Sequence, residues 1–150
     1  MKNFILKQKI LGICMTEGSQ SLADISRELN SSIPTVTKLV GELIDEGFLE
    51  DMGKIDTSGG RRPSIYGLNP SAGYFIGIEI SRDGTRIAIT DFKGSLVDFI
   101  RCPEFILFNN EASVKELCGL IESKIAQTGI DKESILSYGI ALTGRVNHQT

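Results

Sequence analysis

The chain has 150 residues, of which 41% are hydrophobic and 23% charged; this is the mix of one ordinary globular domain or two small ones and argues against disorder. Net charge is −3, with eight Lys/Arg against nine Asp/Glu over residues 1–70 and eight against ten over 71–150. Neither part is basic overall, so any contact with nucleic acid has to come from locally placed cations. No apolar run approaches the length that spans a bilayer, and Lys7 and Lys9 stand where a signal peptide needs its apolar stretch, so a cytoplasmic protein is expected. Cys14, Cys102 and Cys118 form neither a CxxC pair nor a zinc spacing and are expected to be buried free thiols, with no metal and no cofactor.

In chain order, residues 3–16 predict a helix, apolar at Phe4, Leu11 and Cys14 with Ile10 and Ile13 beside them, and stopped at Gly18. Ser21-Leu22-Ala23-Asp24 resembles a capping box, and Leu22, Ile25 and Leu29 follow on one helical face that ends near Asn30. Ser31 or Ser32 can cap the next helix, whose first turn accommodates Pro34 and whose glycine cap is Gly47. Ile33, Val36, Val40 and Leu43 share its apolar face, with Ile44 beside them. Pro34, Thr35 and Lys38 lie opposite. Two short helices joined by a tight turn fit a helix-turn-helix, and equally a plain three-helix bundle.

Phe48–Met52 and Ser64–Asn69 then read as two strands around a Gly-containing loop carrying Lys54, Arg61 and Arg62. A helix-turn-helix followed by such a ribbon is its winged form. An arginine pair at a wing suits a narrow minor groove and equally a grip on phosphates; the alternative is a solvated linker charge pair. The candidate DNA-binding residues are Ser31, Ser32, Thr35, Thr37 and Lys38 at the second helix of the motif, and Lys54, Arg61 and Arg62 at the wing. None of those on the helix makes a bidentate base contact, so direct readout there is modest, and Thr37 is expected half-exposed at the flank. No residue is assigned a catalytic, cofactor or metal role.

From residue 71 the pattern becomes α/β. Strands are predicted at 73–80, 85–91 and 95–100, the last two joined by a turn at Lys93-Gly94, giving two antiparallel hairpins. A helix over 112–127, with Val114, Leu117, Cys118, Ile121 and Ile125 on one face, ends at Gly129. A strand from Tyr138 to Gly144 follows, and strand–helix–strand favours its parallel pairing in the sheet. The expected boundary divides residues 1–70 from 71–150.

Three stretches together resemble the transcriptional-regulator branch of the ROK family of repressors and sugar kinases. They are Ser32–Val40; Gly59-Gly60-Arg61-Arg62-Pro63 followed by Leu68-Asn69 and Gly73–Ile78; and Gly139–Val146. The resemblance covers nearly the whole chain, and Gly-Gly-Arg-Arg-Pro is its most specific part. It implies a winged helix-turn-helix followed by the first part of an actin-like, ribonuclease-H-like ROK domain, in α/β (α+β overall) order. It implies a repressor of carbohydrate-utilisation genes whose partners are double-stranded DNA, a second copy of the full-length protein and a sugar or sugar-phosphate effector.

Where the family's kinases carry Asp-x-Gly-Gly-Thr, this chain has Glu79-Ile80-Ser81-Arg82-Asp83, a turn degenerate for ATP, so no enzyme is expected. Thr143-Gly144-Arg145-Val146 lacks the usual proline of the second phosphate-type loop. Family regulators run more than twice as long, with a second lobe holding sugar and zinc ligands that have no counterpart here. The chain therefore reads as a fragment, and His148 as a solvated loop residue. The alternatives are a fragment of a ROK-type sugar kinase or a winged-helix module that binds protein.

Overall fold

The computed structural model describes residues 2–54, 63–103, 105, 108 and 110–143, with nothing said of the Lys2 side chain. The chain divides into two compact units, Met1–Ala72 and Gly73–Thr150.

The first unit begins with helix α1 (Lys2–Glu17), which ends before Gly18. Strand β1 (Gln20–Ser21) leads into α2 (Leu22–Glu28). Ser21 caps α2 by accepting the Asp24 N–H, the local structure its Ser-x-x-Asp spacing predicts. Helix α3 (Ile33–Asp45) is capped by Ser32, with Pro34 in its first turn. Its far end is a Schellman motif. Gly47 has φ +79, its N–H donates to the Ile44 carbonyl, and the Phe48 N–H donates to Leu43. The chain then turns into β2 (Leu49–Lys54), which pairs antiparallel with β3 (Ser64–Leu68), and β1 joins the other edge of β3. Asn69 locks this corner: its Nδ2 donates to the Gly47 carbonyl and its N–H to Phe48.

Ile10, Cys14, Ile25, Val36, Leu39, Val40, Leu43, Leu49 and Leu68 are each at most 4% exposed and form the core of this unit. Three expectations change here. Leu39 joins the buried face of α3, completing the i, i+3, i+4, i+7 stripe with Val36, Val40 and Leu43. Ile33 leaves that face and stands 51% exposed. It occupies the first helical position, and helical side chains lean toward the N-terminus, so it projects past the end of the helix instead of over the core. Phe4, near the free end of α1, is likewise exposed. Helix α2 ends near Asn30 as expected, with Leu29 as its cap and Asn30 at a left-handed φ of 47.

The second unit is a four-stranded sheet ordered β6-β5-β4-β7, built from β4 (Tyr74–Ser81), β5 (Gly84–Asp91), β6 (Leu96–Cys102) and β7 (Ile135–Leu142). The two hairpins are antiparallel, and β7, reached through helix α4 (Glu111–Thr128), lies parallel to β4. Thr143 extends that pairing, its N–H and hydroxyl both donating to the Ile80 carbonyl. Strand β7 begins at Ile135, three residues before its expected start, and ends at Leu142.

Alternation puts Ile76, Ile78 and Ile80 of β4 and Ile87 and Ile89 of β5 on one face. They pack there with Cys102, Phe105, and Leu117 and Ile125 of α4. Leu120, Ile121, Ile130 and Ile135 pack around them. The expected face of α4 is thereby corrected: Val114 and Cys118 are exposed, and the buried stripe is Ser113, Leu117 and Ile125. Hence two of the three cysteines are buried, not all three. Gly84 has φ +110, and a Cβ there would stand 2.6 Å from both the Cys102 carbonyl oxygen and Pro103 Cα. The close approach of that backbone to the β4–β5 turn therefore requires glycine.

Candidate nucleic-acid interface

The interface is assembled on α2, the turn after it, and α3. Asp24 is held on two sides: the Ser21 hydroxyl donates to its Oδ2 at 2.5 Å, and Arg27 pairs with its Oδ1. The Ser21 hydroxyl first, and Arg27 second, hold its carboxyl below the ordinary carboxylate range. The turn is tied at both ends, the Ser31 N–H donating to Ser26 carbonyl at 3.0 Å and the Ser26 hydroxyl to Ser31 carbonyl at 2.5 Å. A turn this short, closed by its own backbone groups, fixes the angle at which α3 leaves it.

Along α3, Ser31 is half-buried, while Ser32, Thr35, Thr37 and Lys38 are exposed. Their hydroxyls are largely occupied. Ser32 Oγ accepts the Thr35 N–H and lies 2.8 Å from Thr35 Oγ1. Thr37, exposed at the flank, donates its hydroxyl to the Ile33 carbonyl at 2.8 Å. Lys38 is 70% exposed, and its ammonium is 3.9 Å from Glu42, at the outer limit of an ion pair.

Glu42 is engaged more tightly elsewhere. Lys7 of α1 reaches Glu42 at 2.8 Å and Glu46 at 2.6 Å. These hydrogen bonds, Glu42 first, raise the Lys7 pKa, and the bond from Lys7 is the largest cause lowering that of Glu42. Glu42 and Glu46 thus have a partner on α1, and Lys38 stands as the one charged side chain among residues 29–41. Sequence reasoning missed this network, since Lys7 and Glu46 are 39 residues apart and no local pattern joins them.

At the wing, Lys54 closes β2 and is exposed, next to an irregularity between Asp51 and Lys54 where Gly53 takes φ +87. Arg61 and Arg62, with Gly59 and Gly60, lie outside the described residues, as do Gly144, Arg145, Val146 and His148. The structure thus brings Ser31, Ser32, Thr35, Thr37 and Lys38 together on one helix and its turn, and puts Lys54 on the ribbon.

In the second unit, Glu79 stands directly across from Arg86 in the β4–β5 register and pairs with it at 2.8 Å. That bond raises the Arg86 pKa. The carboxylate that the kinase resemblance sets at a phosphate turn is therefore engaged by a guanidinium on the sheet surface. At the turn itself Ser81 Oγ donates to the Gly84 carbonyl and accepts the Asp83 N–H, filling the place of a glycine with a locally bonded side chain. Among the described residues no cluster of three or more His, Cys, Asp or Glu is placed to hold a metal, and no helix is long and apolar enough to cross a membrane.

A family model for winged helix-turn-helix DNA-binding domains matches residues 5–50, which run from α1 into β2. The N-terminal unit has the winged helix-turn-helix fold. Over most of its length the chain is similar to xylose repressors. It is 30% identical over 129 residues to that of Bacillus subtilis (strain 168), covering 85% of this chain and 33% of the repressor. It is 28% identical over 130 residues to that of Caldicellulosiruptor bescii, covering 87% of this chain and 33% of that protein. Its fold matches the crystal structure of a ROK family transcriptional regulator, homologous to the Escherichia coli MLC protein, with a TM-score of 0.68 at 21% identity. The match covers 97% of this chain and 37% of that one. The resemblance to ROK regulators is thus met in sequence by the xylose repressors and in fold by this regulator. The chain spans about a third of the length of each.

Proposed function

We propose that this chain is a sequence-specific DNA-binding transcriptional repressor of carbohydrate-utilisation genes, working in the cytoplasm and not as an enzyme. The observation that carries this reading is the capped α2–turn–α3 unit, inside a stretch that matches winged helix-turn-helix DNA-binding domains, with the β2–β3 ribbon following it. Helix α3 enters the major groove. Lys38 and Lys54 contact phosphates, as do Arg61 and Arg62 where they do not enter the minor groove. Repression follows the repressor names of its relatives.

In the complete regulator two copies bind two half-sites, and a sugar or sugar phosphate changes the geometry between the paired winged helices. Such an effector acts only through different affinity for the two arrangements.

The test is selection from a random duplex pool at ~100 mM salt, with Arg61→Ala/Arg62→Ala as control. An enriched motif bound by the parent is expected. In the double mutant the salt slope of binding should fall by roughly 1.8, two phosphates' worth. A palindromic motif marks paired copies. Absence of enrichment, even when two copies are fused through a coiled coil, overturns the reading and leaves the winged helix to a protein partner.

A further inference from the structure

The first turn of α3 offers few of the polar groups that base readout ordinarily uses. The Ser32 hydroxyl is spent on capping, the Thr35 hydroxyl lies against it, and the Thr37 hydroxyl points back to the Ile33 carbonyl. Beside them the turn exposes apolar residues, Ile33 and Pro34, next to exposed Thr35 and Thr37. Ile33 is 51% exposed while the four apolar residues that follow on α3 are at most 2% exposed, so its side chain does not serve the core. No acid stands between Leu29 and Gly41 to repel a phosphate backbone, and Lys38 lies one turn beyond Pro34. In the major groove the one apolar feature of a base pair is the 5-methyl group of thymine.

Resting on the DNA-binding reading above, we infer that Ile33 is a specificity-determining residue that reads a thymine 5-methyl group in each half-site. Specificity at that position is then steric and apolar: cytosine, lacking the methyl, loses the contact, and no hydrogen bond is exchanged.

The experiment takes the duplex obtained by selection with the full chain and replaces each thymine in turn by uracil, which keeps the hydrogen-bonding edge and removes only the methyl. Affinities for the parent and for Ile33→Ala are measured at one salt concentration, with circular dichroism confirming that the variant folds. One thymine per half-site should exist whose replacement weakens the parent about fourfold, the worth of one buried methyl-sized group. The same replacement should leave Ile33→Ala unaffected, and binding of the variant to random DNA should equal that of the parent. A scan that is flat in the parent, or that costs both proteins equally, overturns the role of Ile33 while DNA binding stands. Failure to select any duplex overturns the DNA-binding reading and this inference with it.

Discussion

The two units close their cores differently. In the first, Val36, Leu39, Val40 and Leu43 of α3 are buried within the unit. In the second, α4 covers β4, β5 and part of β6 but leaves one edge of the same face bare. Tyr138, Ile140 and Leu142 lie in register with buried Ile76, Ile78 and Ile80, yet they are 51%, 62% and 68% exposed. Edge strands are commonly blunted with charge or bulges. Strand β6 carries Asp98 and Arg101 and pairs irregularly with β5, while β7 carries no charge at all. A unit that buries its stripe on its own residues draws its stability from them; a unit with an open apolar edge draws less from that edge.

This contrast sets the largest expected effects. Leu43→Ala, at 1% exposure, should destabilise the first unit by about 2–5 kcal/mol. Ile140→Ala should cost under about 1 kcal/mol, because there is little packing to lose. Denaturant unfolding followed by circular dichroism measures both. Comparable losses at the two positions would break the comparison. Gly84→Ala falls between them, since its positive φ and the two backbone atoms at 2.6 Å leave no room for a methyl; about 1–3 kcal/mol is expected.

The cysteines sharpen the same comparison, one buried thiol reporting on each unit. Cys118 is exposed on α4 and should label with a maleimide as fast as a peptide thiol. Cys14, whose Sγ lies 3.8 Å from the Tyr66 carbonyl, is pushed up to about 11 by burial, and Cys102 is fully buried. Both should label at least about a hundredfold more slowly, at rates set by local opening. Labelling of Cys102 ahead of Cys14 would locate the weaker packing in the second unit; the reverse order would contradict the reading of its open edge.

What the sequence made legible was local. The Ser21–Asp24 box, the Ser32 cap with Pro34, and Gly47 each act within four residues, and the alternation in β4 and β5 has a single solution once one face is buried. What it did not reveal depends on partners far along the chain. The face of α4 was misjudged at Val114 and Cys118 because the buried stripe is turned toward Ser113, and helical spacing alone does not say where along and around the helix its neighbours lie. Ile33 was assigned to the core because helical spacing carries no information about where a helix begins relative to its neighbours. In the candidate interface, the residue types at Thr35 and Thr37 point to contacts with DNA, and only the geometry reveals that the Thr35 hydroxyl lies against the Ser32 cap and that the Thr37 hydroxyl bonds the Ile33 carbonyl.

The smallest expected effect tests how far the cap of α2 contributes to the first unit. The Asp24 carboxyl is held below its ordinary range by the Ser21 hydroxyl and then by Arg27. A folded-state pKa below the unfolded one means that the stabilisation is fully present above the unfolded value and is lost as pH falls through the folded one. Stability should therefore decline as pH drops below about 4, and Asp24→Asn should flatten part of that decline. Glu42 shifts in the same direction through Lys7, so Glu42→Gln is the necessary companion. Lys7, raised by the same bonds, loses its contribution only as pH climbs through its folded value, at the opposite end of the scale. Because Asp24 and Arg27 are largely exposed, solvent screens the pair and its share is small. An acid-limb slope identical in parent, Asp24→Asn and Glu42→Gln would show that neither carboxylate contributes to folding, leaving the apolar stripe of α3 to hold the unit together.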